Sequence, residues 1–356
     1  MKKLVILLLV AVIAVMSLGS LMSCSEPEPE PTQQPTSQPT SEPEPPKEPV
    51  VLKFASAATA GYIPDEQAFV DAFNERCGPD YVIEYYPAGT MLSFVEILDG
   101  VRTGAAEMGA VTPNFHSADE PKLGAVELPF LFNNNDAHRY ACPKLKPLYS
   151  EILESKFNQK LLCLHNYMGM AAIGTTPIKT LEDFDGLLIQ SISPVFAEII
   201  EALGAAPVSG QPYTEAYSLL EKGTVDATIQ ASSSMVSYAL YDVAKYMTSA
   251  YLVAATHGFS INLDAWNKLP ADVQNILVEE AEKASDIIDE YVGGVYWKER
   301  DELAEYGVEV YYPPKEELDR WREVCVPIYE GKKEIYPEFL EQVLAIAEEA
   351  NAKYPD

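Results

Sequence analysis

Side chains able to do acid–base, nucleophilic or metal chemistry are few in this chain and poorly spaced for it. Its four histidines, His116, His138, His165 and His257, lie singly along 356 residues. A lone histidine is more often a structural polar group than a base or a ligand. No Gly-x-Ser-x-Gly elbow, His-Glu-x-x-His helix, Cys-x-x-Cys pair or Gly-x-Gly-x-x-Gly loop occurs. Gly169 to Thr176 has the spacing of a phosphate-binding loop, but Thr175 stands where the phosphate-pairing lysine belongs, so the match is chance. Adjacent carboxylates are common, and in so acidic a chain they mark solvated helix faces. No catalytic residue, metal site or cofactor is expected.

Charge and the first 49 residues say where the protein works. With 25 Lys+Arg against 54 Asp+Glu the net charge is −29, a field that excludes nucleic acid as a partner. Lys2 and Lys3 precede an apolar run, Leu4 to Met16, too short to span a bilayer and suited to a secretory signal. Leu21-Met22-Ser23-Cys24 resembles a bacterial lipobox, which implies a signal peptide over residues 1–23 and a lipidated, palmitate-bearing Cys24 at the head of the mature chain. An ordinary signal peptide beside a chance cysteine is the alternative. Residues 24–49 continue as a tether with nine prolines and no apolar residue after the cysteine; semi-extended, it reaches about 75 Å from its anchor. The expected location is outside the cytoplasm, on the cell membrane and facing the periplasm or exterior.

From Val50 onward 22 basic residues face 48 acidic ones, so the acidity belongs to the folded region. Cys77, Cys142, Cys163 and Cys325 show no metal spacing. In an exported chain four cysteines permit disulfides in any of three pairings; Cys163, between Leu162 and Leu164, equally suits a buried thiol.

The elements that must position any site alternate. Val50 to Phe54 reads as a strand, Pro64 to Arg76 as a helix, Tyr81 to Tyr86 as a strand, Met91 to Val101 as a helix ending at Gly104, and Glu107 to Val111 as a strand. A second series runs through strands at Leu161 to His165 and Leu187 to Ser191, helices at Pro194 to Leu203 and near Tyr213 to Lys222, and a strand at Val225 to Ile229. Two such series predict an α/β protein of two lobes. Pro270 to about Tyr306 reads as one helix long enough to brace both lobes.

Leu128-Pro129-Phe130-Leu131-Phe132, Thr176-Pro177-Ile178 through Asp183-Phe184-Asp185-Gly186-Leu187, Leu203-Gly204-Ala205-Ala206-Pro207-Val208, Glu215-Ala216-Tyr217 through Gly223-Thr224-Val225-Asp226, and Trp266-Asn267-Lys268-Leu269-Pro270 occur in that order. Together they resemble the solute-binding proteins of TRAP transporters, the DctP family. The resemblance implies the two-lobed periplasmic-binding-protein fold, no enzymatic activity, and a receptor that closes on a small molecule and hands it to a small and a large membrane subunit. The expected division puts residues 50–167 and about 258–300 in lobe 1, and 168–257 and about 301–356 in lobe 2. A receptor of the same fold that presents its ligand to a membrane sensor kinase is the alternative; an exported enzyme is the remote third.

Most members carry an arginine on the strand after the Gly-Leu block, where it clamps the ligand carboxylate. Here that strand reads Gly186-Leu187-Leu188-Ile189-Gln190, and no arginine occurs between Arg139 and Arg300. The resemblance places ligand contacts at Ala57, Thr112, Phe115, Met170, Gln190, Tyr213 and Gln230, with Asn114 and His116 flanking Phe115 and His257 near the crossing between lobes. All are uncharged or histidine. The ligand is therefore expected to be neutral or weakly polar, an aromatic body included, and not an Arg-clamped carboxylate. A carboxylate held by backbone N–H groups, a lysine or a metal is the competing expectation.

Overall fold

The computed structural model describes residues 48–355. The expected signal peptide, Cys24 and nearly all of the expected tether lie outside the described residues.

Chain order is β1 (Val50–Ala55), α1 (Ile63–Cys77), β2 (Tyr81–Tyr86), α2 (Phe94–Thr103), β3 (Met108–Val111), α3 (Asn135–Phe157), β4 (Gln159–Gly174), β5 (Leu188–Gln190), α4 (Pro194–Ala202), β6 (Ala206–Val208), α5 (Ala216–Glu221), β7 (Ala227–Ala231), α6 (Ser232–Ser237), β8 (Tyr246–Asn262), α7 (Leu263–Trp266), α8 (Ala271–Glu305), β9 (Glu309–Tyr311), α9 (Lys315–Ile335) and α10 (Pro337–Lys353). The strands form a single mixed sheet in the order β2-β1-β3-β8-β4-β7-β5-β6, with β9 beside the start of β8.

Two parallel trios, β2-β1-β3 and β7-β5-β6, flank the antiparallel β4–β8 pair. The first predicted series is the first trio; of the second, Leu187 to Ser191 and Val225 to Ile229 match β5 and β7, while Leu161 to His165 belongs to the antiparallel β4 and β6 was not foreseen. At about 3.3 Å per residue, β4 and β8 each run about 50 Å, far longer than the expected Leu161 to His165 strand, and pass through both lobes. Val111 at the end of β3 pairs with Gly258, and Ala231 at the end of β7 pairs with Met170. The two trios therefore point their carboxyl ends at each other across the middle of β4 and β8. Ligands of open α/β sheets bind outside such ends.

Local chemistry explains the elements that frame this gap. The α2 helix starts at Ser93, whose N–H donates to Glu96 Oε2 at 2.9 Å, and stops at Gly104, whose φ of 78° suits a residue without Cβ. In α8, Val273, Leu277, Ala281, Ala284, Ile288 and Val292 form a buried stripe with Phe69, Phe73 and Phe259, while Leu303 near its other end joins Leu219, Leu220 and Met247. One helix is thus embedded in the apolar cores of both lobes. Near that second end Arg300 is wholly buried, its guanidinium 3.4 Å from the centre of the Tyr296 ring and its Nε donating to Ser249 Oγ at 2.7 Å. Another core joins Leu145 and Tyr149 of α3, Phe196 and Ile199 of α4, Trp321 of α9 and Val343 of α10.

Cys77, Cys142, Cys163 and Cys325 are all free and buried. None of the disulfides that the even count permits is present among them; burial pushes the Cys163 thiol up to about 12, as suits an apolar, unreactive group. No helix among the described residues is long and apolar enough to cross a membrane.

Candidate ligand-binding site

The gap between the strand ends is a narrow cavity of about 30 Å³. Thr112 enters it directly after β3, and the turn Pro113–His116 brings in Asn114 and Phe115. Met170 comes from β4, His257 from β8, Gln230 from the end of β7, and Tyr213 from the turn before α5. Seven of the ten sequence-predicted positions therefore line one cavity.

Aromatic rings shape the interior. Phe94, the first residue of α2, meets Phe115, Tyr213 and His257 edge-on at centroid distances of 6.2, 5.6 and 5.5 Å. Tyr167 stacks on His257 at 3.9 Å and, on its other face, on Tyr62 at 4.3 Å. The Tyr213 hydroxyl lies 2.8 Å from that of Tyr238. Edge-to-face contacts of this kind add about 0.5–1.5 kcal/mol each to area burial, so the rings form a preorganised wall.

Polar groups behind this wall are tied in a fixed order. Gln190 Nε2 donates to the Pro212 carbonyl at 2.9 Å, Thr228 Oγ1 donates to Gln190 Oε1 at 2.9 Å, and Gln230 Nε2 donates to Thr228 Oγ1 and the Tyr213 carbonyl, both at 3.2 Å. Across the cavity Asn114 Nδ2 donates to Glu127, whose other oxygen accepts from Ser193 Oγ at 2.9 Å. Burial pushes the Glu127 carboxyl up to about 7, against these hydrogen bonds, which lower it. Burial also drives His257 well below its ordinary value and His165 down to about 4, so both imidazoles are neutral at neutral pH. Among the described residues no Lys, Arg, Asp or Glu lines the cavity. Among the described residues no group of His, Cys, Asp or Glu is placed to hold a metal.

Three expected positions fall elsewhere. Gln190 is fully buried one layer behind the cavity, with both ends of its amide engaged by Pro212 and Thr228, so it braces Gln230 and does not face the lumen. His116 turns toward the Phe157 ring, 6.0 Å away, with Nδ1 3.5 Å from Asp119. Ala57 follows β1 next to Gly89, off the lining.

Phe94, Tyr167, Ile192, Ile229, Ala231, Ser234 and Ala255 line the cavity without having been singled out. Phe94 fits the apolar stripe of α2, and only its place at the first turn frees its ring. Tyr167 is the extra residue of a bulge between the pairs Asn166–Thr256 and Met168–Ala255, and bulges commonly re-aim side chains at sites.

A two-lobed α/β body with an apolar, uncharged cavity at facing strand ends defines a solute receptor. The family model of the bacterial extracellular solute-binding proteins, family 7 (DctP), matches residues 57–336, and the chain belongs to that family. It is 26% identical over 298 residues to the C4-dicarboxylate-binding periplasmic protein DctP of Rhodobacter capsulatus, covering 81% of this chain and 87% of that one. It is 26% identical over 244 residues to the 2,3-diketo-L-gulonate-binding periplasmic protein YiaO of Escherichia coli, covering 68% and 74%. Its fold is similar to that of a Bordetella pertussis extracytoplasmic solute receptor binding pyroglutamic acid (TM-score 0.78, 18% identity, 84% and 99% covered). It is also similar to the galactonate complex of a sugar acid binding protein from Advenella mimigardefordensis (TM-score 0.78, 21% identity, 85% and 99% covered).

Proposed function

We propose that this protein is a lipid-anchored receptor that captures a neutral or weakly polar solute, an aromatic one included, in the cavity beside Phe94 and delivers it to the small and large membrane subunits of a TRAP transporter. One observation carries the ligand reading. The cavity holds no arginine or lysine, and the residue at the expected clamp position, Gln190, spends its amide on Pro212 and Thr228. The relatives above are named for, or hold, organic acids; a carboxylate in this cavity would meet neutral imidazole, hydroxyl and amide oxygen instead of a guanidinium. Contacts are assigned to Thr112, Asn114, Phe115, Met170, Tyr213, Gln230 and His257. The hinge is assigned to the middle of β4 and β8, at residues 167–168 and 257–258, where both strands pass the cavity. Cys24 supplies the anchor.

A thermal-shift panel of mono- and dicarboxylates against size-matched neutral compounds tests this. Stabilisation by neutral members is expected. Micromolar stabilisation confined to carboxylates overturns the ligand reading.

A further inference from the structure

We infer that the cavity, through the unpartnered oxygens of Asn114 and Gln230 set among aromatic rings, selects a planar ligand that presents N–H donors. The inference rests on the reading of this cavity as the solute site and deepens it.

Its basis is the direction of the hydrogen bonds. The Pro212 carbonyl only accepts, so the end of Gln190 that meets it at 2.9 Å is the NH2, and the Gln190 oxygen faces Thr228. That oxygen takes the Thr228 hydroxyl proton at 2.9 Å. The Thr228 oxygen is then left to accept from Gln230 Nε2, which also donates to the Tyr213 carbonyl, a second group that only accepts. Both N–H bonds of Gln230 are spent, and Oε1 has no partner. The Glu127 carboxylate orients Asn114 in the same sense, engaging Nδ2 and leaving Oδ1 without a partner. Network polarity thus settles which atom is oxygen in Gln190 and Gln230, and in Asn114 while Glu127 is ionised.

Thr112 Oγ1 is a third unpartnered atom of the lining. Gln230, Asn114 and Thr112 are 1, 2 and 5% exposed, so water does not serve them freely. A buried acceptor without a donor is costly, and a carboxylate brought to the Asn114 and Gln230 oxygens sets acceptor against acceptor, whereas the Thr112 hydroxyl can donate or accept. A ligand N–H satisfies them. Phe94, Phe115, Ile192 and Ile229 give the lumen apolar surface for a planar body, and aromatic rings favour the positive edge of an N–H group. The chemical class is the N–H heterocycle, primary carboxamide or arylamine.

Isothermal titration of the full-length chain in detergent with matched pairs reads this directly: indole against benzofuran, benzamide against acetophenone, and nicotinamide against nicotinate. The N–H member of each pair is expected to bind about tenfold tighter or more, the worth of one hydrogen bond to an otherwise unpaired group. Thr228→Val removes one of the two acceptors that orient the Gln230 amide and leaves the Tyr213 carbonyl as the other, so the gap is expected to narrow without closing; a retained thermal transition shows that the variant is folded, and if it is not, the wild-type pairs decide alone. An unchanged gap in folded Thr228→Val overturns the relay as the source of selectivity. Equal binding within pairs overturns this inference and leaves the neutral-ligand reading standing. Selective binding of nicotinate overturns both, and binding by no member overturns this inference.

Discussion

Replacing Glu127 by Gln tests whether a buried carboxylate orients one side of the cavity. Glu127 is 1% exposed and accepts from Asn114 and Ser193, and burial raises it from 4.5 to about 7. A carboxyl that binds its proton more tightly in the folded than in the unfolded chain favours folding at acid pH. Below about 4.5 it is protonated in both states and costs nothing; between about 4.5 and 7 the unfolded chain ionises first; above 7 the full cost is present. At about 1.4 kcal/mol per pH unit that cost is roughly 3 kcal/mol. Glu66, Asp289 and Glu299, each pushed up to about 7 by burial, act with the same sign. Subtracting wild type from Glu127→Gln cancels them. Urea unfolding from pH 4.5 to 8 is expected to show the variant gaining on wild type by roughly 3 kcal/mol across the window. A difference that stays flat with pH refutes the reasoning.

Phe94→Ala removes three edge-to-face contacts within the protein, and at about 0.5–1.5 kcal/mol each the fold is expected to lose roughly 1.5–4.5 kcal/mol in urea unfolding; unchanged stability contradicts the preorganised wall. Gln190→Arg places a guanidinium behind Gln230 with no anion to meet it; binding of the native ligand is expected to vanish, and undiminished binding contradicts the relay. Cys24→Ala is expected to move the protein from the detergent phase to the aqueous phase on partitioning; unchanged membrane association contradicts lipidation at that residue.

What was legible in the sequence follows from patterning. The α1, α2 and α8 helices show apolar residues at helical spacing with stop signals at Cys77-Gly78-Pro79, Gly104 and Gly307, so their positions read directly. The β4 and β8 strands do not. Covered on both faces for most of their length, they lack the alternation that marks a half-exposed strand, and Asn166, His165, Thr256 and His257 interrupt any apolar run. Their junction, and with it the facing strand ends, was therefore invisible. Counting from sequence blocks brought Thr112, Tyr213 and Gln230 to the cavity because each stands at or near the end of an element, and Met170 because it pairs with Ala231, the last residue of β7. The same counting carried Gln190 to the clamp position, but a count does not say whether an amide turns outward or toward the Pro212 carbonyl. His116 missed the cavity because the turn after Thr112 sends Phe115 and His116 in different directions.

The most direct measurement is mass spectrometry and crystallography of the receptor purified from its own cells without refolding. A neutral, planar, N–H-bearing compound lying between the lobes against Asn114 and Gln230 is the predicted result. A carboxylate retained in the same place, paired with backbone N–H groups, contradicts the account.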